Sequence, residues 1–102
     1  MAKDRLSLQN KLVELLGSPN VWFQPPSSII LKYPCIIYKL DDVDETYADD
    51  QTYVRSKQYL ITIIDKSADS LIYEKILDLP YSSFNTSYVV DNLNHYICSL
   101  FW

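Results

Sequence analysis

Residues Thr52 to Asp65 read TYVRSKQYLITIID, fourteen positions that alternate with period two and contain neither proline nor glycine. Tyr, Ile, Val and Thr fill the run, which predicts a strand. Most strands stop at about 5 or 6 residues, but this one, at about 3.3 Å per residue, extends roughly 45 Å if unbroken. A compact chain of about 100 residues has a diameter of only about 35 Å. One end of the strand should therefore leave the globule as an exposed ribbon, and an exposed ribbon finds a partner. A bulge near Ser56 or Gln58, with both halves kept in one sheet, is the alternative.

The two halves of the run differ in character. Tyr53, Arg55, Lys57 and Tyr59 share one face and mix aromatics with cations, as a partner-facing surface does. Leu60 to Ile64 is apolar on both faces apart from Thr62, as in a strand covered on both sides. Tyr53, Arg55, Lys57 and Tyr59 are accordingly candidate inter-subunit contacts. Trp22 and Phe23 join them as apolar residues in a proline-rich connection.

The rest of the chain reads as helix, strand, strand, helix, strand, strand. Leu8, Leu12, Leu15 and Leu16 form a stripe on a helix from about Lys3 to Leu16. Gly17, the one glycine in the protein, is placed to close it in the left-handed conformation. Ser18 to Ser28 is a connection. A strand from about Ile29 to Leu40 follows, with Pro34 implying an edge or a bulge. Asp41 to Gln51 carries six acids and no base, and is expected to be an acidic hairpin tip built on Asp41, Asp42, Asp44, Glu45, Asp49 and Asp50. A second helix should begin at Ser67, whose hydroxyl can cap it, and end at Pro80. Strands from about Ser83 to Val90 and His95 to Trp102 flank Asp91 to Asn94, residues that tolerate left-handed turns. The expected fold class is α+β: an antiparallel four-stranded sheet with two helices packed on one face, order α-β-β-α-β-β, with an extended β-hairpin. All 102 residues are read as one domain with the tip at 41–51 inside it.

Chemistry has little to work with here. Phosphate-cradling loops and nucleophile elbows need several glycines, and the chain has one. Counting from Asp42, the acidic segment begins like a calcium loop with Asp44 and Thr46, but Tyr47 stands where glycine is required and Tyr53 where glutamate is. His95, the sole histidine, sits at a strand start beside a turn and has no nucleophile paired with it in sequence. Cys35 and Cys98 lack metal-ligand spacing and read as buried free thiols. The expectation is no enzyme, no cofactor, no metal and no catalytic residue. A net charge of −4 argues against a free nucleic-acid-binding surface. No apolar run reaches the length of about 18 residues needed to cross a bilayer, and no secretory leader is legible, so a reducing cytoplasm is expected.

Tyr33-Pro34-Cys35-Ile36-Ile37-Tyr38, Tyr47-Ala48-Asp49-Asp50, Tyr59 to Asp65, Leu79-Pro80 and Asp91 to His95, in this order of elements, resemble small virion proteins of tailed bacteriophages. The likeness is to tail terminator proteins (tail completion, head–tail joining) of long-tailed phages and runs from about Val21 to Trp102. Its motifs are structural. The resemblance implies a homo-oligomeric ring, a hexamer, at the head-proximal end of the tail. Such a ring ends tail-tube growth and joins tail to head, with tail tube protein and head–tail connector proteins as partners. DNA would pass through its lumen without specific binding, and no membrane is involved. It implies location in the virion tail or neck, and in the host cytoplasm during assembly. A connector stopper or adaptor, or a minor tail protein, is the alternative; a small divalent-metal-binding domain using the acidic segment is a more distant one.

Overall fold

The computed structural model describes residues 5–47 and 53–102. Helix α1 spans Arg5–Leu16 and buries Leu8 and Leu12, one turn apart on one side. It stops at Gly17, whose φ of 76° is the left-handed conformation that costs a glycine nothing, and whose N–H reaches the Val13 carbonyl at 2.8 Å. The chain then forms β1 (Val21–Phe23), β2 (Cys35–Tyr47), β3 (Tyr53–Asp65), α2 (Ile72–Leu77), β4 (Ser82–Val90) and β5 (Leu93–Phe101). The fold is α+β, with two helices and a five-stranded mixed sheet in the order β1-β2-β3-β5-β4.

This corrects the expected four-stranded antiparallel sheet in one respect. The Val21-Trp22-Phe23 segment is not a loop but an edge strand running parallel to β2, with Val21 opposite Ile36 and Phe23 opposite Tyr38. Three residues between Pro19 and Pro25 are too few to show a period, so only pairing reveals the strand. Parallel neighbours need a crossover connection, and residues 24–34 supply it. The strand expected from Ile29 consequently starts only at Cys35, after a cis Tyr33–Pro34 peptide.

Two further boundaries move. β2 continues to Tyr47 through Asp41, Asp42, Asp44 and Glu45, so these four belong to a strand and not to a hairpin tip; Asp49 and Asp50 lie outside the described residues. The second helix begins at Ile72 rather than Ser67. Side chains occupy the backbone donors before it: Asp65 Oδ1 accepts the Ser67 N–H at 3.1 Å and Ser67 Oγ accepts the Asp69 N–H at 3.2 Å. Successive turns of this kind compete with helix formation. The Tyr96 hydroxyl then fastens the segment by donating to the Ala68 carbonyl at 3.0 Å.

The core lies on the sheet face covered by the helices. Leu8, Leu12 and Ile76 from the helices meet Ile36, Tyr38, Tyr59, Ile61, Ile63, Cys98 and Leu100 from the three central strands. Register explains the selection: Ile36 faces Ile63, Tyr38 faces Ile61 and Ile61 faces Cys98, so every second residue of each strand lands on one face. The Tyr38 hydroxyl ties α1 down, donating to Gln9 Oε1 at 2.6 Å and accepting from Arg5 Nη1 at 3.1 Å. Trp102 Nε1 donates to Ser7 Oγ at 3.0 Å from the other side of the helix. β4 and β5 join through Asp91 and Asn92 with φ of 53° and 63°, the two left-handed positions of a tight hairpin turn. Among the described residues no helix is long and apolar enough to cross a membrane.

Candidate subunit interface

The β2–β3 hairpin is longer than the sheet that holds it. β2 and β3 pair from Cys35↔Ile64 to Tyr47↔Tyr53, thirteen residues on each strand. Their outer neighbours stop much earlier. β1 ends at Phe23 opposite Tyr38, and the outer edge of β2 is carried one step further by Gln24 Oε1, which accepts the Leu40 N–H at 3.1 Å. On the other side β5 ends at Phe101 opposite Gln58, followed by the Trp102 N–H donating to the Lys57 carbonyl at 2.9 Å. Beyond these points residues 43–47 and 53–57 form a ribbon of two strands, with no third strand beside it among the described residues. Five residues at about 3.3 Å each extend it by about 16 Å, and the chain measures 52 × 25 × 23 Å along its principal axes.

A bulge marks where the ribbon leaves the sheet. Leu40 pairs with Tyr59 and Asp42 with Gln58, so Asp41 is the extra residue. The bulge therefore sits on β2, opposite Gln58, and not on β3, where the alternative reading put one near Ser56 or Gln58. β3 itself runs without a register shift through Ser56 and Gln58. Bulges increase local twist, which turns the ribbon relative to the sheet below it.

The candidate contact residues separate on this frame. Tyr53 and Arg55 stand on the ribbon, at register positions opposite Tyr47 and Glu45; Lys57 stands at its base opposite Val43. Tyr59 does not belong with them. It is only 2% exposed and lies in the core, its ring 6.0 Å from that of Tyr38. Two residues along β3 suffice to move from overhang to interior, because the helices cover the face from Tyr59 onward. Phe23 is likewise half-buried, packed at 5.0 Å from the Tyr38 ring with the Arg5 guanidinium 4.6 Å above it. Trp22, pointing to the opposite face of the same strand, is exposed. Among the acids, Asp41 and Asp42 are exposed on β2, and Asp44 and Glu45 follow them along the arm.

Other surfaces were not legible as sites in the sequence. The crossover 24–34 passes over the sheet face that carries no helix. Pro25, Pro26, Ile29 and Leu31 enclose with Ile37 and Leu60 an open, mainly apolar groove of about 430 Å³. The PPSSII run was its one signal, and it fixes a crossing only once β1 is known to be a strand. β4 is the outer strand on the side of the sheet away from β1 and exposes Phe84, Tyr88, Val89 and Val90. His95 stacks on Tyr88 at 4.7 Å, and its Nδ1 lies 3.1 Å from the Leu93 carbonyl. Cys35 and Cys98 are buried free thiols, both pushed up to about 11 by desolvation. Cys35 pairs with Ile64 on the groove side of the sheet, whereas Cys98 belongs to the helix-covered core. Among the described residues no three His, Cys, Asp or Glu side chains are grouped to hold a metal ion.

The arrangement supplies unpaired backbone edges and charged arms, the materials of strand addition between chains. In comparisons with known proteins, no family model matches the chain and no curated protein sequence matches it.

Proposed function

We propose that the protein is a structural subunit of a phage tail: a tail terminator that assembles as a ring, a hexamer, at the head-proximal end of the tail tube. There it ends tube growth and joins the tail to the head connector. The observation that carries this reading is the overhanging ribbon of residues 43–47 and 53–57, beside which no third strand lies among the described residues. A closed ring needs a heterologous interface, one patch of each copy meeting a different patch of the next. A ribbon reaching past its own core is suited to supply one of those patches. The sequence resemblance of residues 21–102 to tail terminators supplies the biological setting. A net charge of −4 suits a lumen that lets DNA slide through without being held.

The test is loss of the protein in an assembling phage. Tails of uncontrolled length that fail to join filled heads are the expected outcome. Tails of normal length beside heads that leak DNA would instead assign the protein to a connector stopper and overturn the terminator reading.

A further inference from the structure

The two arms of the ribbon carry opposite charge. Between Asp41 and Tyr47, β2 holds Asp41, Asp42, Asp44 and Glu45 and no base; between Tyr53 and Lys57, β3 holds Arg55 and Lys57 and no acid. Apart from the Lys57 carbonyl, which accepts the Trp102 N–H, each arm also has an outer edge that β1 and β5 leave unpaired. Resting on the ring reading above, we propose that the acidic outer edge of β2 in one copy pairs with the basic outer edge of β3 in the next. The ribbons then join in a closed antiparallel ladder of alternating β2 and β3 arms.

Strand direction permits this without turning any copy over. β2 and β3 are antiparallel within the hairpin. A second ribbon pointing the same way and laid alongside therefore presents its β3 antiparallel to the first copy's β2. Repeating the step by rotation generates a cycle, which is the heterologous closure a ring requires. Charge selects this pairing over the others. β2 against β2 would set acids against acids, and β3 against β3 would set Arg55 and Lys57 against their own kind; like charges directly opposite are unfavourable in a sheet. In the mixed ladder every acidic arm is flanked by a basic arm on both sides, since Glu45 and Arg55 are already register partners within one copy. The two outer strands of the sheet, β1 (VWF) and β4 (SSFNTSYVV), carry no charged residue, so neither has a comparable means of choosing a partner.

The experiment swaps charges between arms. One variant carries Asp42→Lys, Asp44→Lys and Glu45→Lys, making both arms basic; the other carries Arg55→Glu and Lys57→Glu, making both arms acidic. Sedimentation velocity and native mass spectrometry read assembly, and far-ultraviolet circular dichroism reads folding. Wild type is expected to form a closed ring that weakens as salt screens the arms. Each variant alone is expected to associate at least about 100-fold more weakly, and an equimolar mixture to restore rings with both variants in equal number. If a multiple variant loses its dichroism, the single changes Asp42→Lys and Lys57→Glu are mixed and read in the same way. Rings formed by each variant alone, or failure of the mixture to assemble while wild type does, would overturn the pairing and leave the ring reading intact. A wild type that stays monomeric at every concentration would overturn the ring reading itself.

Discussion

Replacing Tyr38 with Phe tests how the first helix is held to the sheet. The Tyr38 side chain is fully buried, and its hydroxyl is the only polar atom it brings into the core. That hydroxyl donates to Gln9 Oε1 at 2.6 Å and accepts from Arg5 Nη1 at 3.1 Å, joining two turns of α1 to the middle of β2. Phe keeps the ring contacts with Phe23 and Tyr59 and deletes only the two hydrogen bonds. A neutral bond contributes about 0.5–1.5 kcal/mol and one to a charged group about 1.5–3. Arg5 and Gln9 are half-buried, so water recovers part of the loss, and the expected destabilisation is about 2 kcal/mol. At about 4–8 °C per kcal/mol for a domain of this size, Tm should fall by about 8–16 °C. Urea unfolding of Tyr38→Phe, Gln9→Ala and the double variant measures it. The double variant should be less destabilised than the sum of the singles by about 0.5–1.5 kcal/mol, since both changes remove the same bond. A Tyr38→Phe protein within about 0.5 kcal/mol of wild type, with no coupling to Gln9, would refute the view that this hydroxyl anchors the helix.

Two more predictions concern the core. Ile63→Ala, at a fully buried position between Ile36 and Tyr96, should destabilise the chain by about 2–5 kcal/mol in urea unfolding; a loss under about 1 kcal/mol would mean the site collapses around the missing atoms. Cys35 and Cys98 should resist a thiol reagent at neutral pH in the native protein and react fully once it is unfolded. Their thiols rise from 9.0 to about 11 on folding, so the unfolded chain releases these protons first. The stability this represents is complete below about pH 9 and is lost as pH climbs towards about 11. An unfolding free energy that stays flat across that alkaline range would contradict the burial of both thiols.

Local chemistry made several elements readable. The leucine stripe and Gly17 delimit α1, the Asp91-Asn92 pair makes the β4–β5 turn, and the length of the Thr52–Asp65 run announced a strand too long for its globule. Where contacts between distant segments decide the outcome, the sequence was less informative. Val21-Trp22-Phe23 is a strand only because β2 lies beside it, and Ser67 fails to start a helix because neighbouring side chains take its backbone partners. Tyr59 illustrates the limit most sharply. Its period and composition match Tyr53, yet helix α1 and the Tyr38 ring cover it, and no property of the strand alone distinguishes the two.

The sequence by itself determined the alternation, the Gly17 cap and the opposite charges of the two arms, because each depends on residues within a turn or two of one another. Only the tertiary structure decided which face of each strand is buried, that β1 joins the sheet in parallel, and where β5 and β1 stop short of the hairpin. These outcomes depend on which surfaces meet in space, and the overhang that supports the assembly reading is such a difference in reach between neighbouring strands.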